Sequence, residues 1–182
     1  MRVVSGIARG RKLKSVPGDG TRPILDRVKT ALFDILRSRL DGWHMLDLFA
    51  GSGAVGIEAL SQGAAHCTFL DLSSAAAETI RENLALTGLT DRAEVRNTDA
   101  FRYLRHTAKT FDFIYVAPPQ FKALWEQSLQ TIAEHPELIK NGGLIVAQID
   151  PSEYEPLQLT AFKESEQRKY GNTLLLFFEK VG

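Results

Sequence analysis

A short apolar run that breaks directly into three closely spaced glycines sets what this chain can fold into. Residues 45–49 (Met45, Leu46, Asp47, Leu48, Phe49) are nearly continuous in apolar side chains, as a strand buried on both faces must be. Gly51 and Gly53 then turn the chain, and residues 55–62 open a helix that also carries Gly56. A strand, a tight glycine turn and a helix in that order begin an open parallel sheet. The alternation continues. Residues 65–72, 93–97, 111–116 and 143–149 read as strands, and residues 74–87, 100–106 and 121–134 as helices. Ser73 or Ser74 can cap the second helix of this series and Gly88 can end it. Residues 159–167 and 173–180, joined by Tyr170, Gly171 and Asn172, leave no room for a helix between them. They should pair as an antiparallel hairpin at one edge of a seven-stranded, mainly parallel α/β sheet with helices on both faces.

Ahead of the sheet, apolar positions Ile24, Val28, Leu32, Ile35, Leu36 and Leu40 recur at helical spacing over residues 23–40. Residues 1–20 carry Gly6, Gly10, Pro17, Gly18 and Gly20 among short extended stretches, which predicts one or two small hairpins. The 182 residues fit one domain. It divides into a basic β-hairpin arm at 1–22 and the sheet domain at 23–182.

The zero net charge hides an asymmetry. Residues 1–30 hold eight basic side chains and two acidic ones, a net +6, and the remainder carries −6. The basic residues are Arg2, Arg9, Arg11, Lys12, Lys14, Arg22, Arg27 and Lys29. A basic end on an acidic body suits a polyanion, although a solvated terminus gives the same pattern.

Cys67 is the only cysteine, which excludes an intrachain disulfide and a multi-cysteine zinc site. The four histidines are scattered without metal-ligand spacing, so no metal is expected. No signal peptide is visible, and no apolar run reaches the roughly 18 residues of a membrane span. A cytoplasmic location and no membrane partner are expected, and nothing suggests an obligate dimer, so a monomer is expected.

The acids beside the glycines narrow the ligand. By itself the turn fits a nicotinamide cofactor equally well. Asp47 sits at the strand's C-terminal end, where open sheets bind ligands. A carboxylate there repels a pyrophosphate and can pair with the α-ammonium of methionine. Its alternative, an unpartnered charge among Leu46, Leu48 and Phe49, is costly. Asp71 ends the second strand, where an acid can accept from two ribose hydroxyls or face solvent. Asp99 follows the third strand and either meets an adenine amine or caps the next helix.

The stretch from Leu46 to Leu60 resembles motif I of class I, S-adenosylmethionine-dependent methyltransferases, whose fold is Rossmann-like. More narrowly, nearly the whole chain resembles the bacterial small-subunit rRNA guanine-N2 methyltransferase family (RsmD-like). The resemblance is carried by Met1 to Gly6, Gly10 to Leu13, Thr21 to Pro23 and Asp26 to Val28. It continues through Ala31 to Phe33, Glu82 to Leu84 and Arg168 to Thr173. It implies S-adenosylmethionine as cofactor, with contacts at Asp47, Phe49, Gly51, Ser52, Gly53, Asp71, Leu72, Asp99 and Ala100. It implies methyl transfer to the exocyclic N2 of a guanine in 16S rRNA, free or in its ribonucleoprotein particle.

Methyltransferases acting on exocyclic amines carry Asp or Asn, two prolines and an aromatic residue after strand four. The amine lone pair is delocalised into the ring, so acceptors must hold its hydrogens and aim the lone pair at the methyl carbon, while the aromatic residue stacks on the extruded base. Here the segment reads Ala117, Pro118, Pro119, Gln120, Phe121. The prolines match. Ala117 replaces the acceptor and Gln120 the aromatic residue, with Phe121 one position later. Three readings stay open: the family reaction with a rearranged site, a different target atom or substrate, or RNA binding without turnover as an assembly factor. Arg2, Arg9, Arg11, Lys12 and Lys14 suit phosphate contacts. Arg22 and Arg27 either hold RNA or support the first helix, and Arg168 either touches substrate or closes the final turn. Trp125 reads as core, and Cys67 as a buried strand residue.

Overall fold

The computed structural model describes residues 1–18 and 23–181. Its strands are β1 (His44–Asp47), β2 (His66–Asp71), β3 (Ala93–Asn97), β4 (Phe111–Val116), β5 (Ile139–Ile149), β6 (Phe162–Tyr170) and β7 (Thr173–Lys180). They form one sheet in the order β3-β2-β1-β4-β5-β7-β6. The first five are parallel, and β7 runs antiparallel between β5 and β6. The expected α/β sheet with an antiparallel C-terminal hairpin is present. The chain leaves β1 outward to β2 and β3, then crosses back to β4. That reversal opens a crevice between β1 and β4, at the end where the parallel strands finish.

Among the described residues, five α-helices cover the two faces: α1 (Asp26–Leu36), α2 (Ala54–Ser61), α3 (Ser74–Thr87), α4 (Ala100–His106) and α5 (Leu124–Glu134). Strand side chains alternate, so Met45, Phe69, Tyr115, Val146 and Leu175 meet Leu32, Ile57 and Ile80 of α1, α2 and α3. Leu46, Leu70, Ile114, Ile145 and Leu176 face the other way, against Leu104 of α4 and Trp125, Leu129 and Ile132 of α5. Each fully buried side chain of this size contributes about 1.5–3 kcal/mol. Trp125 and Cys67 are both core residues.

Several boundaries differ from the sequence expectation for identifiable reasons. α1 spans Asp26–Leu36 rather than 23–40, since Leu25 is extended at its N-cap. α5 starts at Leu124 rather than at Phe121, because Phe121 and Ala123 have φ of 62° and 55°, outside the helical region. β5 starts at Ile139, four residues early, because a register shift opposite Phe111 and Phe113 lets the strand pass Gly142 and Gly143.

The N-terminal segment carries a short antiparallel pairing, without named strands, in which Val3 N–H donates to Arg11 O, Leu13 N–H to Met1 O and Gly10 N–H to Val3 O. It has one isolated antiparallel bridge, Arg2 with Lys12. Other N–H groups of the segment go to side chains of the sheet domain. Val4 and Ser5 donate to the two Glu58 oxygens, Ala8 to Ser61 Oγ and Lys14 to Asn83 Oδ1. These acceptors lie on α2 and α3, so residues 1–18 pack onto the sheet domain, with Val3, Ala8 and Leu13 buried in its core. Arg22, with residues 19–22, lies outside the described residues.

Candidate functional site

Asp47 is the last residue of β1 and is 1% exposed. Its Oδ2 accepts the Gly56 N–H at 3.2 Å. Its Oδ1 is buried with no hydrogen-bond partner among the described residues. Burial pushes the carboxyl up from 3.8 to about 7, the Gly56 bond offsets part of this, and the nearby Asp71 charge adds to it. A buried oxygen left unpaired at the mouth of a sheet crevice is an acceptor awaiting a cation or donor.

The glycine turn is shaped by its neighbours. Gly53 caps α2 with φ 84°, a conformation that a side chain would resist. Gly56 lies inside α2, where an added Cβ would stand 2.3 Å from the Phe69 ring. Its role is therefore close packing of helix on strand. Asp71 links the turn to the next helix: Oδ2 accepts from Gly51 N–H and Oδ1 from Ser73 N–H, both at 2.9 Å. Each oxygen keeps a second lone pair for a ligand hydroxyl. Leu72 beside it is 74% exposed, a large apolar side chain open at the same edge. Ser52 is half-buried, and its carbonyl accepts from Asn83 Nδ2. Phe49 meets Phe101 edge-on at 6.5 Å. Asp99 is the N-cap of α4, accepting from Arg102 N–H at 2.9 Å, and Ala100 behind it is buried.

After β4, Ala117 is half-buried, Pro118 buried, and Pro119 and Gln120 exposed. Phe121 is 67% exposed, and its N–H is held by Glu153 Oε1 at 2.8 Å. Glu153 also closes a capping box with Asp150. The Phe121 ring is thus presented outward on a loop tied to the end of β5.

The basic residues are spread unevenly. Lys29 is buried and ion-paired with Glu58 at 3.1 Å, so it is not a surface contact. Arg2 pairs with Asp26, Lys14 with Glu82 and Arg168 with Glu166, all on the surface. Arg11 donates to Leu86 O at 3.1 Å. Arg9 and Lys12 are exposed. Arg27 lies against the β6–β7 turn, its Nη2 3.2 Å from where a Cβ on Gly171 would be.

Sequence reasoning missed Glu58, Asn83 and Gln148. Asn83 binds Lys14 through both backbone groups and also Ser52 O, tying the N-terminal segment to the glycine turn. Tyr115 OH donates to Gln148 Oε1 at the ends of β4 and β5. A cavity of about 550 Å³ between α4 and α5 shares only Asp99 with the predicted site residues. No group of histidine, cysteine and acidic residues that could hold a metal ion occurs among the described residues. No helix there is long and apolar enough to cross a membrane.

The residues at the crevice fit S-adenosylmethionine. The unpaired Asp47 oxygen suits its ammonium, Asp71 its ribose, and the turn at Gly51 leaves open space in which a Cβ would meet nothing within 4 Å. This sheet order, with an acid-flanked glycine turn after β1, defines a class I S-adenosylmethionine-dependent methyltransferase. The chain matches the family model described as "Conserved hypothetical protein 95" over residues 1–179 and belongs to that family. It is 38% identical to YlbH of Bacillus subtilis over 185 residues, covering 100% of both chains. It is 35% identical to ribosomal RNA small subunit methyltransferase D of Haemophilus influenzae, covering 90% of this chain and 87% of that one. The solved structure of Escherichia coli yhhF superimposes with a TM-score of 0.86 at 30% identity, covering 99% of this chain and 97% of that one.

Proposed function

We propose that this chain transfers a methyl group from S-adenosylmethionine to the exocyclic N2 of a guanine in small-subunit rRNA. The carrying observation is the buried Asp47 carboxylate with one open oxygen beside the glycine turn, in a chain of this family. When bound, S-adenosylmethionine supplies an electrophilic methyl group on a sulfonium.

The chain's own residues bind and orient. Asp47 holds the ammonium, Asp71 the ribose hydroxyls, and Asp99 the adenine amine through the oxygen not engaged in its cap. Phe49, Leu72 and Ala100 line the nucleoside, and Gly51, Ser52 and Gly53 let the backbone approach it. Guanine N2 is poorly accessible in folded RNA, so the base must be extruded. Phe121, exposed and tethered by Glu153, is the stacking surface, with Gln120 beside it. Pro118 and Pro119 fix the backbone whose carbonyls face the amine, and Ala117 leaves space there. Arg9, Arg11 and Lys12 offer charge to phosphates, together with Arg2, Lys14, Arg27 and Arg168, three of which must share their acidic partners. Arg22 belongs to the same proposed set. The substrate is the rRNA or its assembled particle, met by a cytoplasmic monomer.

The test is transfer of labelled methyl to unmodified small-subunit particles and to naked 16S rRNA, followed by mapping. Label on guanine N2 is expected. Label on another atom, or none, overturns the reading, and none would favour an assembly factor without turnover.

A further inference from the structure

We propose that Gln148 supplies, from β5, the hydrogen-bond acceptor that Ala117 does not supply at the end of β4. The inference rests on the reading above, that the substrate is an exocyclic aryl amine. Such an amine attacks through its lone pair only when its hydrogens are held in place by acceptors. Ala117 ends in a methyl group and accepts nothing.

The neighbouring strand fills the gap. Val116, the last residue of β4, is in register with Ala147 of β5, so the next residue of each chain segment is Ala117, just past β4, and Gln148, still in β5. Their side chains share a face. Tyr115 and Ala117 pack with the cluster that contains Val146 and Leu175, and Gln148 is in register with Leu175. Gln148 is half-buried, at the strand end that opens on the crevice.

Its amide is also oriented. Tyr115 OH donates to Gln148 Oε1, so the carbonyl oxygen and not the NH2 group faces the tyrosine. Burial and the Asp47 charge push the Tyr115 hydroxyl well above its usual range, so it keeps the proton it donates. The carbonyl oxygen keeps its second lone pair, and the small side chain at 117 leaves that lone pair a path to the crevice. Asp or Asn at 117 would fill the same space. Ala117 and Gln148 are thus two halves of one arrangement, with the acceptor moved one strand across and Tyr115 positioning it. An amide takes no proton, so Gln148 orients the amine and is not its base.

The experiment measures kcat for transfer to unmodified small-subunit particles at saturating S-adenosylmethionine. Alongside it, S-adenosylhomocysteine affinity reports the integrity of the cofactor site. Gln148→Leu is expected to lower kcat roughly 10²-fold, the usual effect of removing one positioned polar group, with S-adenosylhomocysteine affinity retained. Gln148→Glu, which keeps an acceptor oxygen, should retain transfer. Adding Ala117→Asn to Gln148→Leu should recover most of the loss, because it returns an acceptor to the same space. Unchanged kcat in Gln148→Leu overturns the proposal. So does a loss that neither Gln148→Glu avoids nor Ala117→Asn repairs, since that marks a structural role. No transfer by the unaltered chain overturns the reading of the substrate instead, and this role with it.

Discussion

Gly56 donates one hydrogen bond of 3.2 Å to Asp47 Oδ2, and the other oxygen of that buried carboxylate has no partner among the described residues. Without ligand, the pair is a source of instability built into the crevice. Holding an acid at about 7 rather than 3.8 corresponds to roughly 4 kcal/mol against the ionised form.

Asp47→Asn should therefore stabilise the unliganded protein at pH 8. The amide keeps an oxygen for Gly56 but buries an unpaired NH2, which costs about 1–3 kcal/mol. A net gain of about 1–3 kcal/mol is expected in urea denaturation. A less stable variant would contradict the assignment of strain to this carboxylate.

The same group sets a pH dependence. Its folded pKa lies above the unfolded value, so the folded state keeps the proton to higher pH. Its contribution is most favourable below the unfolded value of 3.8, declines as pH rises, and is flat above about 7. The advantage of Asp47→Asn should shrink as pH falls through that window and reverse at its lower end, where the unaltered protein no longer carries the ionisation penalty and the variant still buries an unpaired NH2. A difference independent of pH would contradict it.

Glu58 and Lys29, each with a side chain 1% exposed, form more than an ion pair. Glu58 also accepts from Val4 N–H, Ser5 N–H and Gln62 Nε2, and Lys29 Nζ donates to Arg2 O. Glu58→Gln should cost about 3–5 kcal/mol, the effect of leaving a buried charge unpaired. The double variant Glu58→Leu/Lys29→Met should stay destabilised, because the two backbone N–H groups lose their acceptors at about 1–3 kcal/mol each. Restoration of full stability in the double variant would show that the N-terminal segment does not depend on this carboxylate.

Gly56→Ala places a Cβ 2.3 Å from Phe69 Cε1 and 2.8 Å from Cys67 Sγ. Overpacking of this kind costs about 1–3 kcal/mol, and the shift of α2 should also weaken S-adenosylhomocysteine binding. Thermal denaturation with and without that ligand reads both effects. An unchanged Tm and affinity would remove Gly56 from the turn's architecture.

The exposed Arg9, Lys12 and Arg11 give a separate prediction. Replacing all three with Ala should weaken 16S rRNA binding and lower the slope of log affinity against log salt by about 2. Equal affinity and slope in a filter-binding titration would exclude the segment from phosphate contact.

How far the sequence revealed this depended on whether the signal was local. Asp47 stood out because a charge inside an apolar run needs a partner, and the glycine turn because its strand and helix adjoin it. The hairpin of β6 and β7 was readable because the stretch between residues 167 and 173 is too short to hold a helix. The Glu58 network was not, because its donors Val4, Ser5 and Lys29 lie 29 to 54 residues from it in the chain and only packing brings them together. The pairing of Gln148 with Tyr115 depends on the register of β4 and β5, which the early start of β5 obscures. The start of α5 failed because the left-handed Phe121 and Ala123 carry no glycine or asparagine to announce them.

Calorimetric titration with S-adenosylhomocysteine at pH 7.5, on the unaltered protein and on Asp47→Ala, tests the cofactor site most directly. One-to-one binding by the unaltered protein, lost in the variant while the variant remains folded, is the predicted result. Binding of equal strength in both proteins, or no heat in either, would contradict the assignment of that carboxylate to the ligand.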